Sequence, residues 1–152
     1  MTAIHGVFFM QLTQFTDYSL RALIFIALKN DICTITEISE AYGISRHHLV
    51  KIIHKLGKIG VIKTIRGSQG GVRLNFDPSE INLGDLVQKT EPNFHLVECF
   101  DPKNKSCCIA PVCKLKQILN QANKDFIKTL SQYSLADIIS NKVQLKAYLK
   151  II

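Results

Sequence analysis

The 152-residue sequence has no apolar run long enough to span a membrane. Its longest fully apolar stretch, Ala22-Leu23-Ile24-Phe25-Ile26-Ala27-Leu28, falls far short of the ~18 residues that a span requires. Residues 1–10 lack a charged leader and an A-x-A-like cleavage site, which argues against a secretory signal. There is no internal repeat and no low-complexity tract. Catalytic signatures are missing as well: no Ser-His-Asp arrangement, no G-x-x-x-x-G-K-S/T phosphate loop and no H-E-x-x-H motif. The glycines of Gly67-Ser68-Gln69-Gly70-Gly71 imitate a phosphate loop, but no Lys-Ser/Thr pair follows them. No enzyme is expected.

Acidic residues are also in short supply, with 12 Asp+Glu against 19 Lys+Arg and a net charge of +7. The excess is uneven. Residues 10–76 carry nine basic and four acidic side chains, residues 77–98 one and five, and residues 99–152 nine and three. A basic N-terminal half points towards a polyanion such as nucleic acid. The content of 47% hydrophobic residues is ample for a core, so a folded domain is expected.

Met1–Phe9 shows no periodicity and reads as an N-terminal extension, with Met10 an alternative start. Thr16 is a candidate cap for a first helix reaching Lys29, with Asp17 in the first turn where the helix dipole favours negative charge. Its apolar residues repeat at helical spacing and widen into a stripe, so this helix is mostly buried. Thr34-Ile35-Thr36-Glu37 fits a capping box for a short second helix, which Gly43 ends. Ser45 then caps a third helix, Arg46 to about Lys58, with Leu49, Ile52, Ile53 and Leu56 facing inward. Two helices joined by a short Gly-containing turn, the second one basic, form a helix-turn-helix signature.

After Gly60 the pattern becomes β-prone, with a turn at residues 67–71 between two short strands. A hairpin directly after such a helix is the wing of a winged-helix domain. Ser79 or Asn82 is expected to cap a short helix through Lys89. Residues 91–111 are irregular and carry most of the cysteines. A long helix then runs from about Val112 to Leu130, with Leu115, Ile118, Leu119, Ala122, Phe126 and Leu130 in one continuous stripe. A second copy of the chain is the expected cover for that stripe. A short helix, Leu135–Ser140, and a Lys-rich amphipathic tail follow. The expected class is mainly α with a small β-hairpin: a winged helix-turn-helix domain plus a long C-terminal dimerisation helix. Its parts are the extension 1–9, the DNA-binding domain 10–76, a connecting helix and cysteine loop 77–111, and the dimerisation helix and tail 112–152.

The expected partner is double-stranded operator DNA. A helix fits the major groove, where side chains near its N-terminus reach base edges. Ser45, Arg46, His47 and His48 occupy those positions. Lys51 and Lys55 lie further along and are better placed for phosphates, which set position rather than sequence preference. Arg66, Ser68, Gln69 and Arg73 can carry the hairpin to the adjacent minor groove or backbone.

Cys99, Cys107, Cys108 and Cys113 fall in the pattern C-x(7)-C-C-x(4)-C, while Cys33 stands alone. An odd number of cysteines without a signal peptide argues for a reducing, cytoplasmic setting rather than a disulfide framework. The spacing is not that of a zinc ribbon, which uses two C-x(2)-C knuckles. Soft thiolates suit iron, and three such loop ligands can converge on one iron–sulfur cluster, leaving a position to fill. Lys103, Lys105 and Lys114 flank these thiols and favour reactivity over inertness. Cys33 is expected to pack as a small hydrophobe. His95 is a further ligand candidate, although a loop histidine is more often simply exposed.

The segments Met10-Gln11-Leu12-Thr13-Gln14-Phe15-Thr16-Asp17-Tyr18, Tyr42-Gly43-Ile44-Ser45-Arg46-His47-His48-Leu49-Val50-Lys51 and Arg66-Gly67-Ser68-Gln69-Gly70-Gly71-Val72-Arg73-Leu74 resemble bacterial iron–sulfur winged-helix regulators. Leu96-Val97-Glu98-Cys99, Cys113-Lys114-Leu115-Lys116-Gln117 and Tyr133-Ser134-Leu135-Ala136-Asp137 resemble the nitric-oxide-sensitive repressors among them. The likeness covers residues 10–140. It implies a homodimer that represses genes of nitric-oxide detoxification while its cluster, 2Fe–2S or 4Fe–4S, is intact. It also implies Cys99, Cys107 and Cys113 as ligands, with Asp17 of the partner subunit as the fourth. A hard carboxylate on such iron would leave a weaker, more reactive position. The cluster-biogenesis regulators of the family use a histidine three residues past the last cysteine, where this chain has Lys116. Two features depart from the family pattern: the Cys99–Cys107 gap is longer, and Cys108 replaces a non-cysteine and is a further candidate ligand. The rival readings are an iron- or redox-responsive regulator of the same fold and a thiol-redox or electron-transfer protein.

Overall fold

The computed structural model describes residues 11–152; the extension 1–9 and the alternative start at Met10 lie outside the described residues. The chain begins with α1 (Gln14–Lys29), α2 (Ile35–Tyr42) and α3 (Arg46–Lys58). Ala22, Leu23, Phe25, Ile26, Ala27 and Leu28 of α1 are all buried, and they meet Ile38 of α2 and Leu49, Ile52, Ile53 and Leu56 of α3. Each fully buried large aliphatic side chain here is worth about 1.5–3 kcal/mol of transfer free energy. This cluster therefore holds the helix-turn-helix in place.

The first helix starts earlier than expected. Its cap is Thr13, in extended backbone, whose hydroxyl accepts the Thr16 N–H at 3.3 Å. Thr16 lies inside the first turn and is fully buried. The choice between the two threonines is made at long range: the Glu91 carboxylate accepts both the Thr13 N–H at 2.7 Å and its hydroxyl at 3.0 Å. The second helix follows its sequence signal closely. The Thr34 hydroxyl accepts the Glu37 N–H, and the Glu37 carboxylate accepts the Thr34 N–H at 2.7 Å. Partial burial pushes the Glu37 carboxyl up, but hydrogen bonds from Lys29 and Thr34 outweigh it and hold the group below its usual range. Gly43 ends α2 at φ +66°, a conformation open to glycine.

Strands β1 (Ile62–Ile65) and β2 (Gly71–Leu74) form the antiparallel wing, with Ile62 opposite Leu74 and Ile65 opposite Gly71. Cys33 adds one more rung. Its N–H donates to the Val72 carbonyl at 2.9 Å, and the Val72 N–H donates back at 2.8 Å. The Cys33 side chain is fully buried, and chiefly that burial pushes its thiol up to about 12. It is an inert packing residue, as its isolation in the sequence suggests.

Of the two candidate caps after the wing, Asn82 starts α4 (Leu83–Thr90), accepting the Asp85 N–H at 3.1 Å; Ser79 sits in a 3-10 turn capped by Asp77. Residues 91–113 have no long element, only 3-10 turns at Glu98–Phe100 and Ala110–Val112. Then come α5 (Lys114–Leu130), α6 (Leu135–Ile138) and α7 (Lys142–Leu149). Residues 81–83 and 133–135 pair through Leu83 N–H to Tyr133 O at 3.0 Å and Leu135 N–H to Ile81 O at 2.8 Å. Leu135 and Ile139 are buried in the main core, and Leu145, Leu149 and Ile151 pack against it. The Lys-rich segment read from sequence as a tail is thus a helix seated on α1.

Gly84 sets how closely α4 approaches the end of α5. A Cβ there would stand 2.0 Å from Ser131 Oγ and 2.9 Å from the Ser131 backbone nitrogen. The hydroxyl can rotate away, whereas the backbone cannot. Gly84→Ala is expected to cost about 1–3 kcal/mol through overpacking, read as a lower urea midpoint at fixed protein concentration.

Candidate nucleic-acid interface and cysteine loop

Helix α3 offers its N-terminal turn and outer face to solvent: Ser45, Arg46, His47, His48 and Lys51 are exposed, and Lys55 is half-buried. The Ser45 hydroxyl is engaged as the cap, accepting the His48 N–H at 3.3 Å. His48 leans towards α1, its ring 6.3 Å from that of Tyr18, with His47 stacked 6.4 Å beyond it. The Arg21 guanidinium lies 5.6 Å over the Tyr18 ring and pairs with Asp17, Nη2 to Oδ2 at 2.8 Å. The pair is exposed and contributes little stability. Its interest is positional: Arg21 also covers Tyr18, and the Tyr18 ring is what approaches His48 at the start of α3.

Sequence reasoning missed Tyr18 and Arg21 in this arrangement, and also Val50 and His54 on α3. Val50 is 53% exposed although apolar, and His54 is exposed on the outer face with His47 and Lys51. The signal was present: Val50 falls off the inner register of Leu49, Ile52, Ile53 and Leu56, and His54 follows His47 by two helical turns. A solvent-facing valine on such a helix suits contact with a thymine methyl group.

At the wing, Arg66, Ser68, Gln69 and Arg73 are all exposed. Gly67 turns the chain at φ +114°, and a Cβ on Gly70 would stand 2.3 Å from the Ile65 carbonyl oxygen. The tight, glycine-built tip carries Arg66, Ser68 and Gln69 between the strands, while Arg73 projects from β2.

The cysteine loop lies between α4 and α5. Cys99 is half-buried in its 3-10 turn, Cys107 and Cys108 are exposed, and Cys113 is half-buried; all are free thiols. Cys113 is the cap of α5, its sulfur accepting the Lys116 N–H at 3.4 Å. His95 is exposed and its N–H donates to Asn93 at 3.0 Å. Among the described residues, no three His, Cys, Asp or Glu side chains come together as a metal-holding group. Asp17, on α1, is paired with Arg21 and belongs to no such group among the described residues. The donor set nonetheless has the chemistry for iron: several unoxidised thiols on one accessible segment.

Helix α5 buries none of its residues. Leu115 and Ile118 are 61% and 65% exposed and Phe126 is 45% exposed; Ala122 is exposed, while Leu119 and Leu130 are half-buried. Packing by α4 covers only part of the stripe. Among the described residues, no helix is long and apolar enough to cross a membrane.

The profile of the Rrf2 family, iron-dependent transcriptional regulators, matches residues 12–141. The chain belongs to the Rrf2 family. Among its relatives, the HTH-type transcriptional regulator NsrR of Bacillus subtilis (strain 168) is 47% identical over 143 residues, covering 93% of this chain and 98% of that protein. NsrR of Bacillus licheniformis is 46% identical, covering 92% and 99%. T. potens IscR superposes with a TM-score of 0.71 at 22% identity over 90% of each chain, which establishes the shared Rrf2 fold. As an Rrf2 protein the chain is a DNA-binding transcriptional regulator and not an enzyme.

Proposed function

We propose that the chain is a cytoplasmic, homodimeric repressor of nitrosative-stress genes. Cys99, Cys107 and Cys113, with Asp17 of the partner subunit, hold an iron–sulfur cluster, and nitric oxide is the signal. The observation that carries this reading is the loop of free thiols set between α4 and α5 of an Rrf2 regulator similar to proteins named NsrR. When bound, the cluster supplies iron at which nitric oxide binds. The protein's own residues do the rest. Three thiolates anchor one end of α5, and the carboxylate of Asp17 brings in the first turn of α1 from the other subunit. In this chain that turn already touches α3 through Arg21, Tyr18 and His48. A shift of Asp17 therefore reaches the start of the DNA-reading helix over a short distance.

Two copies joined through Leu115, Ile118, Leu119, Ala122, Phe126 and Leu130 of α5 present two α3 helices. Dimeric helix-turn-helix proteins place these about one DNA turn apart, ~34 Å, so small rotations change affinity. Arg46 and His47 reach base edges, Lys51 and Lys55 neutralise phosphates, and Arg66, Ser68, Gln69 and Arg73 hold the flanking backbone or minor groove. Arg46→Ala is expected to weaken operator binding by about 1–3 kcal/mol, roughly 5- to 150-fold in Kd, measured by fluorescence anisotropy on the iron-loaded protein. An unchanged Kd removes Arg46 from the interface.

The test of the whole reading is anaerobic purification followed by visible spectroscopy, iron analysis and titration with nitric oxide. Absorption that bleaches in step with loss of operator binding supports it. A colourless, iron-free protein that binds its operator overturns it. The description of the family as iron-dependent favours one second reading, a regulator that follows iron supply. Release of operator by an iron chelator, with no response to nitric oxide, selects that reading.

A further inference from the structure

We propose that Cys107 and Cys108 form a capture site for trivalent arsenicals, a ligand class that needs two neighbouring thiols. Both side chains are exposed and both are free thiols. They open a tight turn: the Ala110 N–H donates to the Cys107 carbonyl at 3.3 Å, and Ile109 has φ −92° and ψ −2°, the values of the third residue of a type I turn. In a strand, consecutive side chains point to opposite faces; a turn relieves that alternation. A direct disulfide between adjacent cysteines strains the single peptide bond it spans, because its sulfurs must come within about 2.05 Å. A bridging arsenic atom keeps the sulfurs further apart and avoids that strain. Arsenic(III) is soft and thiophilic, and thiolates are the soft ligands among protein side chains. Ile109, 57% exposed beside the pair, offers an apolar neighbour to an aryl group on the arsenic.

The reaction with phenylarsine oxide balances without an oxidant. Each thiol forms one sulfur–arsenic bond, the arsenic–oxygen bonds break, and the two thiol protons leave with that oxygen as water. Arsenic stays trivalent. Capture itself requires no iron. One consequence rests on the proposed function: if Cys107 is a cluster ligand, the arsenical and the cluster compete for the same sulfur.

The experiment uses the full chain, purified with and without iron and treated with phenylarsine oxide in excess glutathione, with intact-mass and peptide mass spectrometry as readouts. The iron-free protein is expected to retain one phenylarsine unit in exchange for two thiol protons, mapped to Cys107 and Cys108 and released by a dithiol. Cys108→Ser should lose this glutathione-resistant adduct, while Cys99→Ser and Cys113→Ser should keep it. No adduct on the wild-type chain, or an equally resistant adduct on Cys108→Ser, overturns the proposal. Iron-loaded protein should react at least tenfold more slowly. Equal uptake with the cluster absorption intact would overturn Cys107 as an iron ligand and leave the capture site standing.

Discussion

Replacing Cys113 with serine is expected to strip the protein of iron while leaving its helices in place. The residue has two roles. Its sulfur caps α5 by accepting the Lys116 N–H at 3.4 Å, and the same sulfur is in the proposed ligand set. Serine is a preferred residue at a helix N-cap, so its oxygen can take over the first role. It cannot take over the second, since a neutral hydroxyl is a poor substitute for a soft thiolate on iron. Iron content and visible absorption should fall to background, the far-ultraviolet circular dichroism should match wild type, and operator binding should be lost. A serine variant that keeps both its iron and its operator refutes the assignment. An alanine variant would be less informative, because it removes the cap as well.

A comparably large effect is expected from Ile118→Glu. Ile118 sits on the α5 stripe, is 65% exposed in the single chain, and has Leu115 one turn before it and Ala122 one turn after. If a second copy covers this face, a glutamate there places an unpaired carboxylate in an apolar interface, a cost of several kcal/mol. The variant should sediment as a monomer at concentrations where the wild type is expected to sediment as a dimer. Without the dimer each winged helix meets its half-site alone. Loss of the second binding event should weaken operator affinity by about a hundredfold or more. The folded monomer itself should persist, because Ile118 belongs to no part of its core. A variant that remains dimeric shows that α5 meets its partner through another face, or not at all.

What could be read in the sequence was what is decided locally. The capping box of Thr34 and Glu37, the left-handed Gly43, the Ser45 cap and the limits of α3 all depend on residues within a few positions of one another, and all appear where expected. The start of α1 was misplaced because two threonines precede it and the deciding partner, Glu91, is remote in the chain. Helix α7 was read as a tail for a similar reason. Its amphipathic pattern is legible, but only the folded chain shows that Leu145, Leu149 and Ile151 pack against the core beside α1. In the candidate site, the spacing of the cysteines was legible, as was the polarity of α3. The approach of Tyr18, Arg21 and His48 was not, because it depends on how α1 crosses α3.

The pairing of Cys33 with Val72 bears on how the protein meets DNA of varying shape. It splices the link between α1 and α2 into the wing, so β2 is braced along both edges. The braced part of the hairpin moves with the helices as one stiff strut. Compliance is left to the short glycine-bearing tip from Arg66 to Gly70, whose backbone is mostly solvated. On the proposed reading, a rotation of the helices carries the base of the wing with it, and adjustment to the width of a groove falls to the last few side chains of the tip.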